Sequence, residues 1–313
     1  MALKQLTAID PAPRRGLMAF EWVVLAYIVL TLGMRVARCD GIINAEAMLW
    51  GRARIAASVV TLWAVYRLVP CRLTMALRVF VQLAMLGWWY PDTYELNRCL
   101  PNLDHLFARA EQWIFGCQPA LRFAEACPWP VLSEMLDIGY VSYYPMIVAV
   151  MLAFFFCRYE EFTRCSLVIL GAFFIYYTIF DLLPVVGPTY YFHAIGTNHD
   201  PSFLPALGTY FNTHEQCLPT PGWTDGIGYW AVEVAKIAGE RPTAAFPSSH
   251  AGVATVCVML AFRLRSKRLF YILLPLYICL CLATFSIQAH YAIDTLAGIL
   301  SGAAIYFLLI KRM

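Results

Sequence analysis

Two short stretches of this 313-residue chain carry residue types that do phosphate chemistry. The first runs Lys236-Ile-Ala-Gly-Glu240-Arg241-Pro242-Thr-Ala-Ala-Phe246-Pro247-Ser248-Ser249-His250. Ser248 is suited to cap a helix, which puts His250 in that helix's first turn. A helix start presents unpaired N–H groups and the positive end of the helix dipole, and so favours a phosphate. Lys236 and Arg241 add cations on the approach, and Ser248 and Ser249 add hydroxyls. The second stretch, His290-Tyr-Ala-Ile-Asp294-Thr-Leu-Ala-Gly298, spaces His290 and Asp294 for one helix face. A carboxylate there accepts from one imidazole nitrogen, fixes the tautomer and leaves the other as a nucleophile. Gly298, one turn on, permits close helix packing.

These residues need a scaffold, and the composition indicates which kind. Apolar residues make up 61% and charged ones 14%. Soluble domains have roughly 45–50% and about 25%. Mean hydropathy is +0.62. A soluble enzyme and a disordered chain are excluded, and a net charge of +3 excludes a nucleic-acid binder driven by basic excess. The expected fold is all-α, a polytopic membrane helical bundle. Clear spans are 138–157, 165–180, the stretch after His250, 269–289 and 295–310. Weaker ones lie at about 17–37, 55–71 and 73–90, with Glu21 and Arg78 as polar interruptions. The total is about eight.

Orientation follows from Lys and Arg in short loops. Arg158 and Arg164, the run Arg263 to Arg268, Lys311 and Arg312, and Lys4, Arg14 and Arg15 fall on one side, taken as cytoplasmic. Arg35, Arg38, Arg52 and Arg54 dissent. The opposite side carries a segment 91–135, amphipathic through Leu103, Leu106, Phe107, Ala110 and Ile114 and expected on the membrane surface. It also carries a Pro-, Gly- and Thr-rich loop 188–247. No cleavable signal peptide, internal repeat or CxxC pair is evident. Cys39, Cys99, Cys117, Cys127 and Cys217 lie in the exoplasmic segments, where a disulfide is open.

Forty residues separate His250 from His290, the length of two spans and a loop, so both return to one membrane face. One imidazole would attack phosphorus while the other protonates the leaving oxygen, with cations and helix-end N–H groups holding the remaining oxygens. No metal or cofactor is required by this scheme.

Phe246-Pro-Ser-Ser-His250 and His290-Tyr-Ala-Ile-Asp294, each opening a span, resemble the signature of the type-2 phosphatidic acid phosphatase superfamily. Leu183-Pro184-Val-Val-Gly187-Pro188-Thr-Tyr190 and the surface segment 104–119 resemble its inositol phosphorylceramide synthase branch. The resemblance implies a six-span catalytic core, 73–313, preceded by 1–72 as a tail with two accessory spans. It also implies His290 as the nucleophile forming a phosphohistidine, Asp294 as its orienting group and His250 as general acid, then base. The superfamily pattern has six residues between its Lys and its Arg-Pro; here Lys236 and Arg241-Pro242 have four. Its Ser-Arg before the nucleophilic His is replaced by Ala283-Thr284, which favours headgroup transfer over hydrolysis.

Other polar residues read more plainly. His105, His193, His199 and His214 are expected as packing or interfacial residues, as are Tyr140, Tyr143 and Tyr144. Asp181 pairs with a catalytic cation or reaches interfacial water, and Gly187-Pro188 forms a turn with a possible headgroup contact. The leading function is an integral-membrane phosphotransferase moving a phosphoinositol-like headgroup from a phospholipid donor to a lipid hydroxyl. The alternative is a lipid-phosphate phosphatase with water as acceptor. A proton-coupled transporter, or an inactive structural partner, is a different class. The site is expected on the exoplasmic face, of a bacterial inner membrane or a Golgi membrane. The sequence leaves the oligomeric state open.

Overall fold

A computed structural model describes residues 3–37, 43–197 and 203–311. Arg38, Cys39, His199 and Arg312 lie outside the described residues, and the Lys4 and Lys311 side chains are likewise not described. The chain folds into α1 (Leu3–Thr7), α2 (Ala19–Ala37), α3 (Ala45–Leu68), α4 (Arg72–Asn97), α5 (Asp104–Phe115), α6 (Pro119–Ala126) and α7 (Pro130–Val141). There follow α8 (Tyr143–Cys157), α9 (Phe162–Leu182), α10 (Pro188–Ile195), α11 (Ile227–Gly239), α12 (Ser249–Arg263), α13 (Arg268–Ser286) and α14 (Ala292–Lys311). Extended pairing among the described residues is an isolated bridge between Ile9 and Cys71.

Among the described residues, five helices are long and apolar enough to cross a membrane: α2, α4, α9 with its preceding turn, α13 and α14. The pair α7–α8, bent by 50° at Ser142, makes six if it forms one span. The expected eight is therefore not reached by length and composition. Helix α3 has 24 residues but carries Glu46, Arg52, Arg54 and Arg67, and α12 has only 15. At 1.5 Å rise per residue, α12 covers about 22 Å of a roughly 30 Å hydrocarbon core.

The charges that weakened the N-terminal spans pair with each other. Glu21 of α2 accepts from Arg78 of α4, with Nε to Oε1 at 2.7 Å, and both side chains are fully buried. Arg52 of α3 meets Asp92 of α4 in two parallel bonds of 2.9 and 2.7 Å. Arg52 thus acts as a helix-packing charge rather than a loop charge, which explains why it dissented from the orientation pattern. Such buried pairs fix which helix packs on which, and losing one partner leaves an uncompensated charge.

Helix α9 is buried over most of its length and touches α2, α4, α8, α12 and α14. At one end of the bundle, Arg263 Nε donates to Glu161 at 2.8 Å and Arg158 donates to the Arg263 carbonyl at 2.7 Å. This gathers two of the basic loops. Because α12 begins at Ser249 and ends at Arg263, His250 lies at the other end.

The segment 91–135 departs from expectation. Residues 91–97 continue α4, and α5 turns an acidic face inward. Asp104, Ala108 and Glu111 are buried, while Leu106, Trp113 and Ile114 are exposed. The helix ends at Gly116, whose φ of +68° is the left-handed cap that glycine supplies.

Candidate active site

Three chain segments converge at the His250 end. Ser248 caps α12, its Oγ accepting the Ala251 N–H at 3.3 Å, and this sets His250 in the first turn. Ser249 is nearly buried beside it. The half-buried His250 ring packs on Tyr140 at a centroid distance of 4.8 Å and an interplanar angle of 21°, and on Tyr143 at 4.4 Å. The Tyr-rich stretch read as packing therefore packs on a candidate catalytic group.

His290 sits in the connector between α13 and α14, 4% exposed. Its ring centroid is 5.8 Å from that of His250, so one phosphate group can touch both rings. Its Nδ1 is 2.7 Å from the Ala245 carbonyl oxygen. A carbonyl only accepts, so Nδ1 carries the proton and Nε2 keeps its lone pair. Burial pushes the His290 imidazole down to about 4, with the Ala245 bond acting in the opposite direction. The ring is neutral at pH 7, as a nucleophile must be.

Asp294 is placed differently from the spacing argument. Helix α14 starts at Ala292, so His290 precedes the helix instead of sharing its face. Asp294 Oδ2 accepts the Tyr291 N–H at 2.9 Å, the N3 half of a capping box, and lies 3.9 Å from His290 Nδ1. The Ala245 carbonyl orients the imidazole, and Asp294 stands behind it as a buried carboxylate. The Asp294 carbonyl accepts the Ser248 N–H at 3.0 Å, joining the two histidine-bearing segments directly. Gly298 makes this approach possible, since a Cβ there would lie 2.3 Å from the Ser248 carbonyl oxygen.

The remaining candidates scatter. Gly187 has φ +93°, and a Cβ on it would lie 2.6 Å from the Ala289 carbonyl oxygen. It lets the segment 185–187 lie against the residue preceding His290, and Pro188 begins α10. Arg241, half exposed, pairs with Glu215 at 3.2 Å. Lys236 bonds Thr220 and lies 3.9 Å from Glu233. Asp181 accepts from Tyr27 of α2 at 2.9 Å, which makes it a contact between α2 and α9. A cavity of about 590 Å³ opens beside Arg241, walled by Trp88, Glu95, Arg98 and Glu215; neither imidazole lines it. His214 stacks on Tyr210 at 4.0 Å, a packing role. Cys117, Cys127 and Cys217 are free thiols, and Cys99 Sγ lies 3.9 Å from the Glu95 carbonyl oxygen. Among the described residues no group of three or more His, Cys, Asp or Glu is arranged to hold a metal ion.

Two functional candidates escaped sequence reasoning. Asp104 accepts the Val186 and Gly187 N–H groups at 2.7 and 2.9 Å and the Tyr291 hydroxyl at 3.1 Å. Glu111 accepts the Ala292 and Ile293 N–H groups at the start of α14. Burial raises Asp104 to about 6 and Glu111 to about 7, while these hydrogen bonds act to lower them. Their seven-residue spacing, two full turns on one helix face, was the available signal. It was masked because charges between apolar residues read as a solvated face.

The sequence profile of the PAP2 superfamily matches residues 105–308. No curated protein and no solved structure matches the chain.

Proposed function

The chain belongs to the PAP2 superfamily, and on that premise we propose that it is an integral-membrane phosphotransferase that moves a phospho-headgroup between lipids through His290. Membership suggests a lipid phosphatase or phosphotransferase type. The carrying observation is the pair of imidazoles at 5.8 Å, with His290 Nδ1 engaged by Ala245 and Nε2 therefore available.

In the first half-reaction Nε2 of His290 attacks phosphorus, the bond to the leaving lipid oxygen breaks, and His250 delivers a proton to that oxygen. In the second, His250 takes the proton of an incoming hydroxyl. That oxygen attacks phosphorus and the P–N bond breaks, restoring both rings. The start of α14 is already occupied by Asp294 and Glu111, so the phosphate oxygens fall to the Ser249 and His250 N–H groups at the start of α12, the Ala251 N–H being taken by Ser248 Oγ, and to the Ser249 hydroxyl. Arg241 and Lys236 are engaged by carboxylates and belong to the surroundings of the site.

The Ala283-Thr284 pair, where the superfamily's phosphatase pattern has Ser-Arg, favours a lipid hydroxyl over water as acceptor and a phosphoinositol-like headgroup, as in the inositol phosphorylceramide synthase branch. The site would face the exoplasmic side, opposite the basic loops. Purified protein given radiolabelled phosphoinositide with and without ceramide tests this. A new labelled lipid is the expected product. Release of inositol phosphate alone means hydrolysis, and full activity of His290→Ala rejects the mechanism.

A further inference from the structure

We propose that Glu111 is a positioning residue for the His290 loop, acting as a fixed acceptor that holds the first turn of α14 from a helix 181 residues away in the chain. The inference rests on the reading of His290 as the nucleophile.

A helix start leaves its first N–H groups without intrahelical acceptors, and they must be satisfied where water is excluded. Here every one is accounted for. The Tyr291 N–H goes to Asp294 Oδ2, and the Asp294 N–H to the Tyr291 carbonyl. The Ala292 and Ile293 N–H groups both go to Glu111 Oε1, the second at 3.4 Å. Glu111 is fully buried, and burying a carboxylate is costly unless it is hydrogen-bonded. An apolar residue there would avoid that cost but leave two N–H groups of α14 unbonded.

What Glu111 fixes is specific. Ala292 and Ile293 follow His290 by two and three residues, and the connector upstream turns through Gln288 at φ +65°. Asp104, one face-repeat earlier on α5, holds Val186, Gly187 and Tyr291. Helix α5 therefore holds the His290 loop at Tyr291 through Asp104 and at Ala292 and Ile293 through Glu111. Glu111 also fills the anion-favouring start of α14. A phosphate is thereby directed to the start of α12, next to His250.

The test uses the full-length protein in detergent micelles. Glu111→Ala should lower kcat on the order of 100-fold, the usual consequence of misplacing a reacting group by about 1 Å. KM should stay within about twofold, because Glu111 is buried and its hydrogen bonds go to backbone N–H groups. Glu111→Gln keeps an acceptor oxygen and should recover kcat to within about tenfold of wild type. Hydrogen exchange, read without substrate, should quicken in Glu111→Ala at 290–294 and stay unchanged in α9 and α12. Wild-type kcat in a folded Glu111→Ala protein, no rescue by Gln, or exchange rising uniformly across the bundle would each overturn the proposal. If wild-type protein turns over no lipid phosphate, the functional reading fails by itself. The exchange comparison then still decides whether Glu111 holds the loop.

Discussion

Alanine at position 298 should be tolerated by α14 alone and rejected by the site. In an isolated helix Gly→Ala gains about 1 kcal/mol. In the bundle the added Cβ would stand 2.3 Å from the Ser248 carbonyl oxygen and 3.2 Å from both the Ser248 carbonyl carbon and the Ala251 Cβ. Carbon–oxygen contacts between helices run at about 3.3 Å or more, so α12 and α14 must part by roughly 1 Å. The displaced atom belongs to backbone and cannot swing aside as a side-chain tip does. Overpacking of this kind costs about 1–3 kcal/mol, which exceeds the propensity gain. The separation falls between Ser248, two residues before His250, and Asp294, four after His290. It therefore stretches the 3.0 Å Ser248–Asp294 bond and the 5.8 Å imidazole spacing. For Gly298→Ala, kcat should drop on the order of 100-fold with a small change in KM. Gly33→Ala, which meets nothing within 4 Å, is the control and should leave kcat unchanged. Steady-state turnover of labelled lipid in micelles, with thermal unfolding alongside, measures both. A Gly298→Ala protein with wild-type kcat would refute the claim that α12–α14 contact sets the histidine geometry.

Glu21→Ala leaves Arg78 buried without its carboxylate and should destabilise the fold by about 3–5 kcal/mol in denaturant unfolding. Arg241→Ala breaks a half-exposed pair and should cost under about 1 kcal/mol by the same measure. Stability should also depend on pH in opposed ways. Glu111 and Asp104 are raised to about 7 and about 6, so their contribution is full below their unfolded values near 4 and is lost as pH rises through 6–7. His290 is lowered to about 4, so its contribution is full above pH of about 6.5 and is lost as pH falls through 4. Thermal unfolding from pH 5 to 8 should therefore decline less steeply in Glu111→Gln than in wild type.

The parts legible in the sequence were those with local causes. Composition announced the membrane bundle, and Ser248 before an apolar run announced the start of α12. Gly298 announced a close helix contact, which occurs at the Ser248 carbonyl. Parts set by long-range contact were not legible. Glu21 and Arg78 looked like interruptions of weak spans, and Arg52 like a loop charge, because the partner of each lies on another helix. Asp294 read as the histidine's hydrogen-bond partner because the helix was assumed to begin before His290. Its true start at Ala292 turns the carboxylate onto Tyr291 and leaves Nδ1 to the Ala245 carbonyl, a backbone atom that carries no sequence signal. Asp181 read as a catalytic or interfacial charge, and its partner is Tyr27, 154 residues away.

On the proposed route His290 carries the phosphoryl group covalently. Rapid-quench mass spectrometry of the protein during turnover of phosphoinositide detects that adduct. The expected result is an acid-labile adduct on the peptide containing His290, absent in His290→Ala. Its mass should equal the phosphorylated headgroup if a phosphodiester lipid is the donor. Turnover at the wild-type rate with no adduct at His290, or an adduct on another residue, would contradict it.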